Sequence, residues 1–199
     1  MTITPQIQAT PTLAARRHRF SAFLIDSLIF YVMASPIYLL PAEEVEASDG
    51  SILADYLNPY AGDPNWPIQV AVTVLLAVYF WLQHALWGQT PGKRLCRLKV
   101  VSGATGEPPG LRHAGIRALV YPVLTSAPYL GVFLNVVDTL WIFGDPKRRC
   151  LHDVVAGTIV VDLEGPGRKG FGGPGFLLGL GAILAVGVAV ALVSVLMAR

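Results

Sequence analysis

The hydrophobic positions of this chain are gathered into four long runs. They cover residues 20–40, closed by Pro41; 68–87, closed by Gly88; 118–143, interrupted by Pro122 and Pro128; and 176–198, which carries no charged residue. A helix needs about 20 mainly apolar residues to span the hydrocarbon core of a bilayer, so the runs predict membrane segments. Two shorter stretches differ. Residues 98–101 (LKVV) and 158–163 (TIVVDL) are rich in β-branched residues and bounded by Gly-containing turns. They read as short strands able to pair with each other. The predicted fold is an all-α integral membrane protein: a small helical bundle of three to four membrane segments, the third broken or re-entrant, with short cytoplasmic β segments.

The polar positions orient this bundle. Arg16, Arg17 and Arg19 precede the first run, whereas residues 41–67 contain no Lys or Arg and six acids. Residues 88–117 and 144–175 are again basic. Lys and Arg favour the cytoplasmic side. The N-terminus is therefore expected inside, 41–67 outside and 88–117 inside. A simple crossing by 118–143 would put the basic stretch 144–175 outside. Twenty-six residues are short for two full crossings. A hairpin turning near 125–128 keeps both basic stretches inside and is the favoured arrangement; a proline-kinked single crossing is the alternative. Pro disfavours helix at the residue before it and removes a backbone donor. Such breaks survive at membrane depth where they line a cavity or are buried in protein.

Composition agrees. Charged residues make up 14% of the 199-residue chain and hydrophobic ones 53%, against about 25% charged in ordinary soluble domains. The net charge of +2 gives no reason to expect a nucleic-acid partner. Residues 1–15 lack the basic start and apolar core of a cleavable signal peptide and read as a disordered tail. Residues 16–163 form the membrane domain, 164–175 a Gly-rich linker, and 176–199 an additional C-terminal helix. That helix carries small residues at four-residue spacing, Gly175 with Gly179 and Gly181 with Ala185 and Ala189, which allows close helix packing in lipid. Cys96 and Cys150 both fall in basic stretches and are expected to be reduced thiols. No paired spacing makes them metal ligands with His113 and His152. No metal or cofactor is expected.

Several polar residues sit where membrane-depth chemistry would. Asp26 lies in the first run, seven residues after Arg19. The two share a helix face about 10 Å apart along the axis, but side chains lean toward the N-terminus, so a direct pair between them is strained. Arg19 is expected to anchor the helix at the headgroups. Asp26 should seek a partner elsewhere: a basic residue near 93–97, the loop at His152 and Asp153, or a bound cation. A charge at that depth costs a few kcal/mol. Asp138 shares a helix face with Asn135, and His84 falls near the end of the second run. GQTPGKR (88–94) fails the spacing of a phosphate loop. Gly88, Thr90, Gly92, Lys93 and Arg94 read instead as a tight turn with a basic cluster at the headgroups. The neighbours His152 and Asp153 are not a catalytic pair by adjacency, and no motif places a nucleophile, so an enzyme is not expected.

Taken together, R-x-x-A-x-x-x-D at Arg19, Ala22 and Asp26, G-x-T-x-G-K at Gly88 to Lys93, and L-H-D-x-x-A-G-T-x-V-V at Leu151 to Val161 resemble the RDD family of small membrane proteins, named for one arginine and two aspartates. The resemblance covers about residues 14–163. It implies that Arg19, Asp26 and Asp153 are the named residues, with Asp138 a second candidate for the last. It also implies transport of an unidentified ligand, with cation/proton exchange claimed for some members. Two functions follow as expectations. One is a small transporter or exchanger at the cell membrane, oligomeric, with Asp26 and Asp138 at its ion site. The other is a non-transporting interaction or assembly module, in a homo-oligomer or with a membrane protein partner, whose Arg19, Asp26 and Asp153 are structural.

Overall fold

The computed structural model describes residues 12–38, 57–58 and 60–165. The expected disordered tail up to residue 11, most of the acidic loop, most of the linker and the whole last helix lie outside the described residues. Helix α1 runs Arg16–Tyr38, α2 Trp66–Trp87, α3 Pro91–Leu95, α4 Gly110–Ala118, α5 Leu130–Gly144 and α6 Leu151–Val155; the strands are β1 Leu98–Ser102 and β2 Thr158–Asp162.

Local chemistry sets the boundaries. Pro67 sits in the first turn of α2, where its missing N–H costs nothing. Gly88 ends α2 at φ 66°, with its N–H donating to the His84 carbonyl at 3.0 Å. That positive φ suits glycine, and a Cβ there would lie 2.4 Å from the Val100 carbonyl oxygen. Thr90 then caps α3, its hydroxyl accepting from the Lys93 N–H, with Pro91 opening the helix.

The two strands pair antiparallel, with Val100 opposite Val160 and Ser102 opposite Thr158. Residues 12–14, expected in the disordered tail, add a short edge to this pair. Ala14 N–H donates to the Val160 carbonyl at 3.0 Å, and Asp162 N–H to the Thr12 carbonyl at 2.8 Å. Three residues without alternation give no strand signal; the free edge of β2 supplies the order. A two-stranded ribbon is marginal alone. This one is backed by a small core of Ala14, Ala22, Cys96, Leu98, Val100 and Val160, which seats it on α1.

The third run is broken, and the prolines break it. Tyr121, before Pro122, is extended at φ −134°, ψ 120°, and Ala127, before Pro128, is extended at ψ 135°. Both are pushed there by the following ring. Between α4 and α5 the chain kinks at Tyr121 within Leu119–Val123 and then makes a 3-10 turn over Leu124–Ser126. The break rests on residues ahead of α2: Tyr60 Oη donates to the Ser126 carbonyl at 3.0 Å, and Asn58 Nδ2 to Tyr129 Oη at 3.2 Å. Its two ends meet elsewhere, because Arg117 at one end and the residues after α5 at the other converge on Asp153.

The outer surface is strongly apolar, and several charged side chains are buried beside the apolar core. Only Val72, Phe80, His84 and Ala85 of the 22 residues of α2 are buried. Phe133, Leu140 and Phe143 of α5 and Val32 and Met33 of α1 are exposed. Asp26, Asp138 and Asp153 are buried. An exposed apolar area of this extent marks a membrane or protein contact. Among the described residues, α2 is long and apolar enough to cross a membrane.

Candidate functional site: buried carboxylates and an adjoining cavity

Asp153, in the short helix α6, is fully buried. Arg19 Nη2 donates to its Oδ2 at 2.5 Å, and Arg117 Nη1 to its Oδ1. Its Oδ2 also accepts the Cys150 N–H at 3.1 Å, which caps α6. Arg117 further donates to Thr158 Oγ1 at 2.8 Å. Burial alone would raise the Asp153 carboxyl, but Arg117, Arg19 and His152 override it and hold it well below the usual carboxylate range. One carboxylate thus ties the start of α1, the end of α4 and the start of β2 to α6.

Arg19 does not serve as the expected headgroup anchor. Besides Asp153 it donates to the Arg148 carbonyl at 2.5 Å and to Cys150 Sγ at 3.3 Å. Its guanidinium offers five donors in a rigid fork, and the loop 148–153 folds around them. The lean of the α1 side chains brings Arg19 toward this loop rather than past it.

Asp26 lies about two turns further along the same face of α1, also fully buried. Thr90 Oγ1 donates to its Oδ2 at 2.5 Å and Gly92 N–H to its Oδ1 at 2.8 Å, while Lys93 Nζ stands 3.8 Å away. Of the three partners considered for Asp26, the structure selects the turn after α2. Gly92 makes the approach: a Cβ there would lie 2.3 Å from the Ala22 carbonyl oxygen and 2.9 Å from the Asp26 carboxyl. Lys93 is therefore turned inward, not out to the headgroups as the basic cluster had implied. Burial pushes its ammonium down to about 8; Asp26 opposes this and Arg117 and Arg19 reinforce it. Arg94 faces outward and stacks over Trp87 at 5.3 Å.

Asp138, inside α5, accepts the His152 backbone N–H at 2.7 Å and faces His152 Nδ1 at 2.8 and 2.9 Å. It therefore also satisfies a free donor at the start of α6. The Asp138, Cys150 and His152 ligand atoms lie within 4.8 Å of one another, a spacing that a metal ion could use. Their present bonds disfavour one: Asp138 is engaged by His152, Arg19 donates to the sulfur, and burial pushes the Cys150 thiol up to about 11. Cys96 packs in the core under the sheet, and His113 faces the Pro109 carbonyl at 3.0 Å. The four-residue set of Cys96, His113, Cys150 and His152 is not assembled.

Asp26 and Asp138 line a cavity of about 430 Å³, and Asp153 stands behind its wall, bonded to the lining Arg19 and Arg117. Asp26, Lys93, Arg117, Asn135, Asp138 and His152 contribute its polar wall. His84, placed by sequence near the interface, is buried against Phe80, with ring centroids 5.9 Å apart. Sequence reasoning missed Arg117, Thr158 and Cys150 as members of the network. The signal for Arg117 was present: like Arg19, it is the last cation before an apolar run.

Set against known proteins, the chain matches the RDD family model over residues 13–157. No curated protein and no solved structure matches it. The chain belongs to the RDD family, a family of membrane-associated proteins.

Proposed function

We propose that this RDD-family chain is a multi-pass cell-membrane protein acting as a non-enzymatic interaction and assembly module, in which the Arg–Asp network is structural. The observation that carries the reading is pairing. Each of the four buried carboxylates among the described residues has protein partners: Asp26 with Thr90 and Gly92, Asp138 with His152, Asp145 with Arg149, and Asp153 with Arg19 and Arg117. A cation carrier needs a carboxylate free to exchange its ion, and the cavity wall carries more cations than acids. Removing one partner of such a pair leaves an uncompensated buried charge, so these residues hold helices together whether or not anything is transported.

In this reading α1 and α2 cross the bilayer, the N-terminus and both basic stretches are cytoplasmic, and 118–143 enters and returns. The pairing of Arg117 with Asp153, after the far end of the segment, supports the hairpin, as do the contacts of its tip with Asn58 and Tyr60. The bilayer and a membrane protein partner, another copy included, are the proposed partners, and nucleic acid is not among them.

One observation favours the second reading, a small transporter or cation/proton exchanger. The cavity stands beside a broken segment, as ion sites in transporters do. Proton and sodium flux in proteoliposomes separates the two. The module reading expects no flux above protein-free vesicles. Cation flux that Asp26→Asn abolishes in a protein that still folds would replace it with transport.

A further inference from the structure

The excess of cations on the cavity wall counts against a cation carrier, and it also points to what the cavity could hold. Five cationic side chains line it, Arg16, Arg17, Arg19, Lys93 and Arg117. Against them stand the lining acids Asp26 and Asp138, with Asp153 bonded to Arg19 and Arg117. With histidines neutral, five positive charges face three negative ones. Two buried side-chain nitrogens on the wall also lack a protein partner: His84 Nε2, on a residue 4% exposed, and the Arg117 Nε donor, on one 5% exposed. A buried polar atom left without a partner is costly, and a hydrogen-bonding group in the cavity would offset that cost.

The mouth of the cavity has a second character. Phe20, Phe23 and Phe143 line it and are 54, 44 and 66% exposed. They lie beside Arg16 and Arg17, themselves exposed, and the Arg16 guanidinium sits over the Phe143 ring at 5.5 Å. The opening therefore offers an apolar slope under a cationic rim, the order in which a bilayer presents acyl chain and headgroup. A volume of about 430 Å³ is within the ordinary range of small-molecule sites, about 300–1,000 Å³.

We propose that this cavity is a binding site for one anionic phospholipid, its phosphate held by Arg16, Arg17 and the inner side-chain nitrogens of His84 and Arg117, its acyl chain lying along Phe20, Phe23 and Phe143. A free phosphate would use the cations and ignore the aromatic slope. A zwitterionic lipid would use the slope and gain little from the excess charge.

The test is native mass spectrometry of the full chain in mild detergent, titrated separately with phosphatidylglycerol, phosphatidylcholine of the same chains, and inorganic phosphate. One phosphatidylglycerol should bind tighter than either of the others. Arg17→Gln should weaken it about fivefold, the value of one surface cation of about 1 kcal/mol. His84→Leu should weaken it too; because that change also removes the ring packed on Phe80, its unfolding midpoint is recorded beside its affinity, and Arg17→Gln, at an exposed residue, carries the test if the midpoint falls. Equal binding of phosphatidylcholine, binding of inorganic phosphate as tight as the lipid, or unchanged affinity in both variants would each overturn the proposal. None of these outcomes depends on ion flux, so the site and the module reading fail separately.

Discussion

Gly92 shows how a single missing side chain sets a contact between segments. The turn after α2 reaches Asp26 because nothing stands between the Gly92 backbone and α1. Gly92→Ala must push the turn away or distort α1, and overpacking of this kind costs about 1–3 kcal/mol. A lowered midpoint of thermal unfolding in detergent is the expected result; an unchanged midpoint would show that the turn yields freely. Lys93, next in sequence, makes a pH prediction. Its native ammonium titrates near 8, below the usual 10.5. Between those values the unfolded chain holds a proton that the folded one has released, so stability rises with pH through that window. The full gain is at most about 3 kcal/mol. Lys93→Met should remove the rise when its unfolding midpoints at pH 7.5 and 10 are compared with those of the parent. A rise that survives in the variant belongs to another group.

At the scale of elements, the broken third segment is the feature most easily read from the sequence. Two X-Pro steps in one apolar run force two extended residues, and Tyr121 and Ala127 adopt them. The strands were legible for the same reason: β-branched runs between glycine turns have few other options. The short edge at residues 12–14 was not legible, since its order comes from a strand almost 150 residues away. Neither was the capping of α6. The N–H groups at its start are taken by Asp138 from α5 and by its own Asp153, so the His152–Asp153 step is part of how this helix is capped. The hairpin predicts a labelling pattern. Single cysteines at residues 145–149 should resist membrane-impermeant thiol reagents in intact cells and react after permeabilisation. Labelling from outside would make 118–143 a single crossing.

For the molecule as a whole, the sequence indicated which residues are out of place in an apolar chain but not how they pair. Spacing along α1 puts Arg19 and Asp26 on one face, and geometry argued against their pairing with each other. It could not say that Arg19 goes to the loop after α5 and Asp26 to the turn after α2, because those contacts span 134 and 66 residues. Arg117 was passed over as one of several loop cations, although it closes the network from the far side of Asp153. In the resulting architecture apolar residues face outward, and buried ion pairs and hydrogen bonds join α1, α4, α5 and α6 beside the small apolar core under the sheet.

That claim is tested most directly by a double-mutant cycle on Arg19 and Asp153, read as unfolding free energy by denaturant titration in mild detergent. Arg19→Gln and Asp153→Asn should each cost about 3–5 kcal/mol, as loss of one partner of a buried pair does. The double variant should cost clearly less than the two together, with a coupling of about 1–3 kcal/mol. Small, additive losses would contradict the account and return Arg19 to the headgroups.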